Sequence, residues 1–272
     1  MNADTADYII VGAGSAGCVL ANRLSLDASV ILLEAGPADH AWDFRLHMPA
    51  ALSHVLANDT YNWFYSSEPE QSLNGRAMYC PRGRVLGGSS SINGMIFVRG
   101  HADDFNGWAQ EHQLPDWRYE ACLPYFKKSE TCLFADSEFR GAKGPMSLSR
   151  GTLQNPLFNA WLSGAAQAGH PVTEDFNGAS QEGAGAFDRT IHAGARQSVA
   201  RAYLHPVLAR KNLAVMTRTL VNRIVFDHGR AIAVECQVGR KNKTLRANKE
   251  IIICGGAINS PQLLMLSGVG EA

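Results

Sequence analysis

Short apolar runs alternate with glycine-rich or polar turns in the first part of the chain. Tyr8–Val11 is an apolar run that predicts a strand, and the segment CVLANRLSL that follows carries apolar residues at helical spacing. A second apolar run, residues 29–33, predicts another strand that ends at Glu34. The order strand, helix, strand is typical of a parallel α/β unit.

The pattern is mixed beyond residue 100. The segment GWAQEHQLPDWRYEACLPYFKKSE predicts helical pieces that break at Pro115 and Pro124, and NPLFNAWLSGAAQAG predicts a helix after Pro156. Residues 212–239 predict successive strands with a turn at His228–Gly229, and EIIICGG predicts a further strand. We therefore expect an α/β cofactor-binding domain with a mixed segment inserted into it.

Composition and charge describe an ordinary globular protein. Lys and Arg together number 25, as do Asp and Glu, so no net charge attracts nucleic acid. The six cysteines form no CxxC pair, which favours reduced thiols in the cytoplasm. The pattern contains no signal peptide and no segment long enough to cross a membrane, while peripheral attachment to a membrane stays open.

The first predicted strand runs directly into the turn GAGSAG, residues 12–17. In such a turn Gly12 permits the reversal, Gly14 lets a pyrophosphate approach the backbone, and Gly17 lets the helix pack close to the strand. The start of the helix offers amides to an anion. Glu34 lies near the spacing of an acceptor for a ribose 2′-hydroxyl, which disfavours NADP and leaves NAD and FAD as alternatives.

A second glycine-rich stretch, RGRVLGGSSSINGM, occupies residues 82–95. Gly87 and Gly88 let the backbone approach a ligand closely, the serines at positions 89–91 offer hydroxyls, and Asn93-Gly94 continues a path rich in donors. A flavin needs protein around its ring as well as its pyrophosphate, so a second loop favours FAD over NAD. Composition alone leaves a plain turn as the alternative.

Other candidate sites are weaker. The nine histidines show no HExxH or other ligand spacing, so we expect no metal site. Trp63, Phe64 and Tyr65 could form an aromatic wall for a quaternary ammonium, but a packed aromatic cluster is the preferred interpretation. Cys254 is interpreted as a buried strand residue rather than a nucleophile.

Two long motifs resemble one protein family. Residues 83–106 resemble the first signature of the glucose-methanol-choline (GMC) oxidoreductases, and residues 255–270 resemble the second. The stretches at 61–70, 173–183 and 198–213 are most similar to the choline dehydrogenase branch and its bacterial alcohol dehydrogenase relatives. The family consists of FAD enzymes that oxidise alcohols. The resemblance therefore implies a Rossmann-like FAD-binding domain with part of a mixed α+β substrate domain.

The resemblance also implies domain boundaries and cofactor contacts. Residues 1–155 would form the N-terminal part of the FAD-binding domain including the flavin loop, residues 156–215 the start of a substrate or cap segment, and residues 216–272 the return to the FAD-binding domain. The first loop would meet the pyrophosphate, Glu34 the adenosine ribose, the second loop the flavin, and the Val221 backbone the adenine. The implied cofactor-binding residues are Gly12, Gly14, Ser15, Ala16, Gly17, Glu34, Ala35, Arg84, Gly87, Gly88, Ser89, Asn93, Gly94, Met95, Ile96, Val221, Ala257 and Pro261.

The covalent state of the cofactor and the catalytic residues are also inferred from the resemblance. Some members attach the flavin to a histidine at the position of Ile92, so FAD is expected to bind non-covalently here. The catalytic histidine of the family lies in a segment beyond residue 272, so no catalytic residue is named. We expect the N-terminal half of a family member, either a truncated form of a full enzyme or a natural fragment.

The resemblance implies oxidation of a small primary alcohol, similar to choline, to its aldehyde. Electrons would pass to a quinone-type acceptor rather than to NAD. The alternatives are a catalytically silent flavin-binding fragment and a dehydrogenase for another aliphatic alcohol.

Overall fold

The computed structural model describes residues 4–135, 138–151 and 153–270. Two compact units divide the chain, one formed by Met1–Gly94 with Ser198–Ala272 and the other by Met95–Gln197. The expected boundaries followed residues 155 and 215, whereas the units divide after residues 94 and 197. Residues on both sides of position 155 share one sheet and one cluster of ion pairs, which places them in the same unit. The functional assignment of these segments stays a prediction.

The described residues form seven α-helices and fifteen strands. The helices are α1 (Ser15–Leu24), α2 (Phe44–His47), α3 (Leu52–Leu56), α4 (Ala102–Glu111), α5 (Tyr119–Ser129), α6 (Pro156–Gln167) and α7 (Gly256–Leu266). The strands are β1 (Thr5–Val11), β2 (Val30–Leu33), β3 (Tyr65–Ser66), β4 (Tyr79–Cys80), β5 (Ile96–Phe97), β6 (Glu130–Thr131), β7 (Met146–Ser147), β8 (Ser149–Arg150), β9 (Asp188–Arg189), β10 (Ile191–His192), β11 (Ala195–Arg196), β12 (Leu213–Met216), β13 (Thr219–Asp227), β14 (Arg230–Val238) and β15 (Lys241–Ile253). Within the described ranges, no helix has both the length and the apolar character needed to cross a bilayer.

A six-stranded sheet with the order β12-β2-β1-β15-β14-β13 forms the framework of the first unit. The strands from β12 to β15 in this order run parallel, and β14 and β13 continue antiparallel. All four residues of β2 are buried, as parallel strands covered on both faces require. The register aligns Val11 with Leu33 and Ile253, and Leu33 with Met216, so the segments after these strands meet at one edge.

The local predictions for the first unit are largely confirmed. The strand, helix and strand of the N-terminal unit appear as β1, α1 and β2. His228 and Gly229 join β13 to β14, and both have a left-handed backbone with φ of 46° and 79°. Such a two-residue turn suits the twist of paired antiparallel strands. The last strand, β15, begins at Lys241 and is longer than the segment EIIICGG predicted.

Buried charges hold the second unit together. The guanidinium of Arg140 donates hydrogen bonds of 2.9 Å to Glu130 and of 2.7 Å to each of Asp175 and Asp188. Arg99 donates a further 2.9 Å bond to Glu130. Burial by itself lowers the pKa of Arg140, but the bonds to its three carboxylates outweigh it and raise that pKa. The cluster joins side chains that lie up to 89 positions apart, between Arg99 and Asp188.

The helices of the second unit correct one prediction. α5 contains Pro124, so the predicted break at that residue is wrong. Proline removes one backbone hydrogen bond of a helix, but the packing of α5 on α4 continues past it, with Phe126 5.5 Å from Phe105 between ring centroids. Pro115 instead opens a short 3₁₀ helix between α4 and α5.

Candidate cofactor site

A cavity of about 900 Å³ opens at the carboxyl edge of the parallel strands in the first unit. Its volume lies within the range of about 300–1,000 Å³ that is typical of sites for small molecules and cofactors. Ten of the predicted cofactor-binding residues line it. These are Gly12, Gly14, Ser15, Ala16, Glu34, Ala35, Gly88, Ser89, Val221 and Ala257.

Glu34 is fixed at this edge by the backbone of two neighbouring loops. Its Oε2 accepts a 3.0 Å hydrogen bond from the amide of Ala13, and its Oε1 accepts a 2.9 Å bond from the amide of Gly36. Burial raises the pKa of Glu34 to about 7, although the bonds from Gly36 and Ala13 oppose the shift. Each carboxylate oxygen keeps a further lone pair with which it can accept a hydroxyl.

The first glycine-rich turn combines two close contacts with one open position. A Cβ on Gly12, where φ is +99°, would lie 2.5 Å from the carbonyl oxygen of Cys254, and a Cβ on Gly17 would overlap the carbonyl oxygen of Gly12. A Cβ on Gly14 would meet no atom within 4 Å. Gly14 is also the N-cap of α1, without a side-chain cap and without an acidic residue in the first turn. The start of α1 is therefore open to an anion.

The second glycine-rich loop packs directly on the first. The amide of Gly87 donates a 2.8 Å hydrogen bond to the carbonyl of Ala13. A Cβ on Gly88 would lie 2.7 Å from the Cα of Gly14. Both Gly87 and Gly88 have positive φ, at +88° and +55°, which favours glycine.

The three serines of this loop do not all offer their hydroxyls to a ligand. Ser90 donates a 2.6 Å bond to the Gly87 carbonyl, and Ser91 donates a 2.7 Å bond to the Leu86 carbonyl. The expectation is therefore wrong for Ser90 and Ser91, because the 3₁₀ turn Gly88–Ser91 directs their O–H groups to the loop itself. Ser89 lines the cavity, and its Oγ accepts a 3.0 Å bond from the Gly83 amide, which leaves its proton to donate.

The remaining predicted residues lie outside the lining of the cavity. They are Gly17, Arg84, Gly87, Asn93, Gly94 and Pro261 in the first unit, and Met95 and Ile96 in the second. Arg84 is informative, because its guanidinium carbon lies 4.9 Å from the centroid of the Trp63 ring and its Nε is buried without a hydrogen-bond partner. A buried donor of this kind requires an acceptor.

Ile92 lies in an apolar cluster and does not line the cavity. It is 2% exposed and belongs to an apolar cluster with Leu46, Val55, Tyr61 and Val85. Non-covalent binding of the cofactor stays a prediction from this residue type.

Two of the three aromatic residues considered in the sequence analysis form a wall of the cavity. Trp63 and Tyr65 both line it, with ring centroids 5.9 Å apart and planes 5° apart. The Tyr65 hydroxyl donates a 2.5 Å bond to Oδ1 of Asn259 in α7. Their i, i+2 spacing, which places both side chains on one face of an extended segment, favours this arrangement. The preferred interpretation as a packed cluster is thus incomplete, since these rings stack on each other and also face the cavity.

The polar groups at the cavity determine which ligands it can hold. Cys254 lines the cavity, and burial raises the pKa of its thiol, which is unfavourable for a nucleophile. Within the described ranges no group of three or more His, Cys, Asp or Glu side chains could hold a metal ion. The open helix start, the carboxylate of Glu34 and two aromatic faces together fit a dinucleotide.

Residues 6–272 match the protein family described as GMC oxidoreductase. The chain is 51% identical over 276 residues to mitochondrial choline dehydrogenase of Homo sapiens, and the match covers 99% of this chain and 46% of the human protein. It is 48% identical over 270 residues to the oxygen-dependent choline dehydrogenase of Staphylococcus saprophyticus, with 98% of this chain and 48% of that protein covered. The chain spans about half the length of the curated relatives it matches.

Solved structures of other proteins share this fold. Pyridoxine 4-oxidase from Mesorbium loti superposes with a TM-score of 0.92 at 33% identity, over 97% of this chain and 52% of that chain. An FAD-dependent oxidoreductase from Chaetomium thermophilum superposes with a TM-score of 0.90 at 31% identity, over 98% of this chain and 48% of that chain. The predicted α/β, Rossmann-like fold class is confirmed.

Proposed function

Because the chain belongs to the GMC oxidoreductase family, we propose that it binds FAD in the cavity at the carboxyl edge of its sheet. FAD is the cofactor of this family, and the name of the Chaetomium thermophilum protein states it. The observation that carries the proposal is the position of Gly14, where an uncapped helix start meets open space inside the cavity. A pyrophosphate needs both the close approach and the free amides.

The adenosine part of FAD binds beside Glu34 in this proposal. A ribose hydroxyl donates to the carboxylate of Glu34, which the amides of Ala13 and Gly36 hold in place. Val221 lines the same cavity and offers its backbone to the adenine. Trp63 adds an apolar face to the cavity, and its ring contacts the guanidinium of Arg84, which lies outside the lining.

The second glycine-rich loop receives the flavin end. Gly88 and Ser89 line the cavity, and the proton of the Ser89 hydroxyl is available to an acceptor on the ring. Asn93, Gly94, Met95 and Ile96 continue this loop and are proposed contacts by family resemblance. Since Ile92 replaces the histidine of covalent members, the flavin is held without a covalent bond.

The activity we propose is oxidation of a small primary alcohol, similar to choline, to its aldehyde. Two relatives that are about half identical to this chain are named choline dehydrogenases. Bound FAD would supply the acceptor for the hydride that leaves the alcohol carbon, and a base, usually a histidine, would take the hydroxyl proton. The electrons then pass to a quinone-type acceptor; the name of the Staphylococcus saprophyticus relative makes oxygen the alternative. We propose a cytoplasmic location, with association with a membrane as the alternative to be tested.

An absorbance spectrum tests the cofactor first. The purified chain is incubated with FAD, separated from free FAD by gel filtration, and measured before and after acid precipitation. We expect flavin bands in the protein fraction that move to the supernatant on precipitation. Flavin left in the pellet would contradict non-covalent binding, and a colourless protein fraction would contradict the FAD site.

Substrate oxidation is tested separately, by anaerobic addition of choline or another primary alcohol to the FAD complex. Loss of flavin absorbance on adding choline supports the proposed activity. Bound flavin that no alcohol reduces would favour the catalytically silent flavin-binding fragment. Subsequent addition of a soluble quinone or of oxygen shows which of the two restores the absorbance.

A further inference from the structure

A segment far along the chain contacts the second glycine-rich loop without lining the cavity. Residues 198–207, which we call the brace, contain the π-helical turn Ala200–Leu204 and the 3₁₀ helix His205–Val207. The brace packs against α1, and Ala200 is completely buried. π-helical turns are rare and occur frequently at functional sites, so the contacts of this turn with the loop are informative.

Ser90 joins the loop to the brace. Its Oγ donates a 2.6 Å hydrogen bond to the carbonyl of Gly87 and accepts a 3.0 Å bond from the amide of Val199. A serine hydroxyl has a single proton, so that of Ser90 is committed to Gly87. The side chain of Ser90 therefore connects two backbone segments and is not available to the cofactor.

The brace and the loop together fill the space next to Gly87. A Cβ added at Gly87 would lie 2.4 Å from the Oγ of Ser91, 3.2 Å from the Oγ of Ser90 and 3.3 Å from the Cβ of Ala200. The amide of Gly87 in turn donates to Ala13 in the first loop. Gly87 is thus held on two sides, by the first glycine-rich turn and by the brace.

Two further contacts anchor the brace to elements that bear the candidate site. Nδ2 of Asn22 in α1 donates a 2.7 Å bond to the carbonyl of Tyr203, inside the π-helical turn. Nε2 of His205 lies 2.9 Å from Oδ1 of Asp39, which follows β2 and is 4% exposed. The brace is therefore connected to α1, which follows the first loop, and to the segment that follows β2 and Glu34.

We propose that Ser90 is a positioning residue for the cofactor. Together with the brace it holds Gly87 and Gly88 in their left-handed conformations, and so keeps the flavin loop packed against the pyrophosphate loop. Ser90 acts through the backbone of Gly87, since it does not line the cavity. This inference rests on the proposed function, because the site that Ser90 positions is the FAD site.

Ser29 provides a control for Ser90. Its Oγ donates a 2.9 Å bond to Oδ2 of Asp7 and accepts a 2.8 Å bond from the Asp7 amide. Both serines are half-buried and lie in the first unit, but Ser29 joins the start of β2 to β1, and neither Ser29 nor Asp7 lines the cavity. Replacing either serine by alanine removes one donated and one accepted bond, so a general loss of stability affects both variants.

The first readout is the dissociation constant for FAD of the 272-residue chain. We expect Ser90→Ala to raise it about tenfold, the effect of losing one to two hydrogen bonds, and Ser90→Thr, which keeps the hydroxyl, to restore it. Ser29→Ala should lower the melting temperature and leave FAD affinity unchanged. The visible circular dichroism of bound FAD should change in Ser90→Ala alone. Equal FAD affinity in Ser90→Ala and Ser29→Ala would overturn the proposal.

The second readout needs no cofactor. Without FAD, we expect Ser90→Ala to accelerate hydrogen exchange of the Gly87 amide, and Ser29→Ala to leave it unchanged. Asn22→Ala, which releases the other end of the π-helical turn, should also accelerate hydrogen exchange of the Gly87 amide. This variant replaces Ser90→Ala if Ser90→Ala does not fold. An unchanged rate of hydrogen exchange at the Gly87 amide would overturn the proposed role of the brace. If the unaltered chain binds no FAD, the proposed function fails, and exchange at Gly87 alone decides the role of Ser90.

Discussion

The amide of Gly87 donates a 2.8 Å hydrogen bond to the carbonyl of Ala13 and thereby joins two glycine-rich loops that are separate in the sequence. Next to this bond, Gly88 approaches the Cα of Gly14 so closely that no side chain fits at position 88. A single loop serves a pyrophosphate, but a flavin dinucleotide needs its ring held at a fixed distance from that pyrophosphate. The contact between the two loops fixes this relationship.

Gly14→Val should abolish FAD binding while the fold is retained. Gly14 has φ −72° and ψ −163°, an extended conformation that valine adopts readily, and the space beside it holds no atom of the protein within 4 Å. The new side chain would occupy the position where the pyrophosphate approaches. Gel filtration with FAD and thermal unfolding measure the two properties.

Gly17→Ala is the control for this glycine. A Cβ at Gly17 overlaps the carbonyl oxygen of Gly12, so we expect a clearly lower melting temperature even without FAD. Normal FAD occupancy in Gly14→Val would show that the pyrophosphate does not lie at this position.

Glu34 should make the stability of the protein without FAD depend on pH. Burial raises the pKa of Glu34 to about 7 from an ordinary value of 4.5. The folded protein therefore binds this proton more tightly than the unfolded chain, so the contribution of Glu34 to the free energy of unfolding is largest below pH 4.5 and falls as the pH rises to about 7. Urea unfolding of the unaltered chain and Glu34→Gln at pH 5 and pH 8 measures it. The fall in the free energy of unfolding between pH 5 and pH 8 should be smaller in Glu34→Gln.

FAD affinity should also depend on the protonation of Glu34, but it should rise with pH where the free energy of unfolding falls. A ribose hydroxyl donates best to the ionised carboxylate, so affinity should rise with pH up to about 7 and then level off. Glu34→Gln should weaken binding by about 1–3 kcal/mol and remove this pH dependence. Glu68→Gln, an exposed site in the same unit, should change neither property. Unchanged affinity in Glu34→Gln would mean that Glu34 only ends its strand.

The elements that could be predicted from the sequence are those whose contacts are local. The β1–α1–β2 unit is visible because Tyr8–Val11 and Val30–Leu33 are apolar runs and the glycines between them are close in sequence. The turn at His228–Gly229 was visible for the same reason. The bond from Tyr65 to α7 and the brace could not be predicted, since Tyr65 and Asn259 lie 194 positions apart and Ser90 and Val199 lie 109 apart. No local pattern encodes such pairs.

Local rules also failed where tertiary contacts outweigh them. Pro124 disfavours a helix interior, yet α5 continues through it because Phe126 and its neighbours pack on α4. The serine run at positions 89–91 reads as a set of free hydroxyls, but the geometry of a 3₁₀ turn directs two of them back to the loop. Residue type alone determines neither whether a helix continues through a proline nor the direction of a serine hydroxyl.

Trp63→Leu should weaken FAD binding through the loss of an aromatic face. Trp63 lines the cavity between Tyr65 and Arg84, with which its ring makes stacked contacts. We expect the dissociation constant to rise about three- to tenfold, or roughly 0.7–1.4 kcal/mol. Trp42→Leu is the control, because Trp42 is 75% exposed and does not line the cavity. Equal effects of the two changes would place the cofactor away from Trp63.

Arg140→Met should destabilise the second unit far more than the change in side-chain volume suggests. The variant leaves Glu130 and Asp188 buried with one guanidinium fewer, and breaking a buried ion pair on one side costs about 3–5 kcal/mol. Arg223→Met removes an exposed pair with Glu235 and should have a much smaller effect. Urea unfolding compares the two free energies. Similar small losses would show that water or rearranged side chains reach the Arg140 cluster, and that its carboxylates do not depend on this guanidinium.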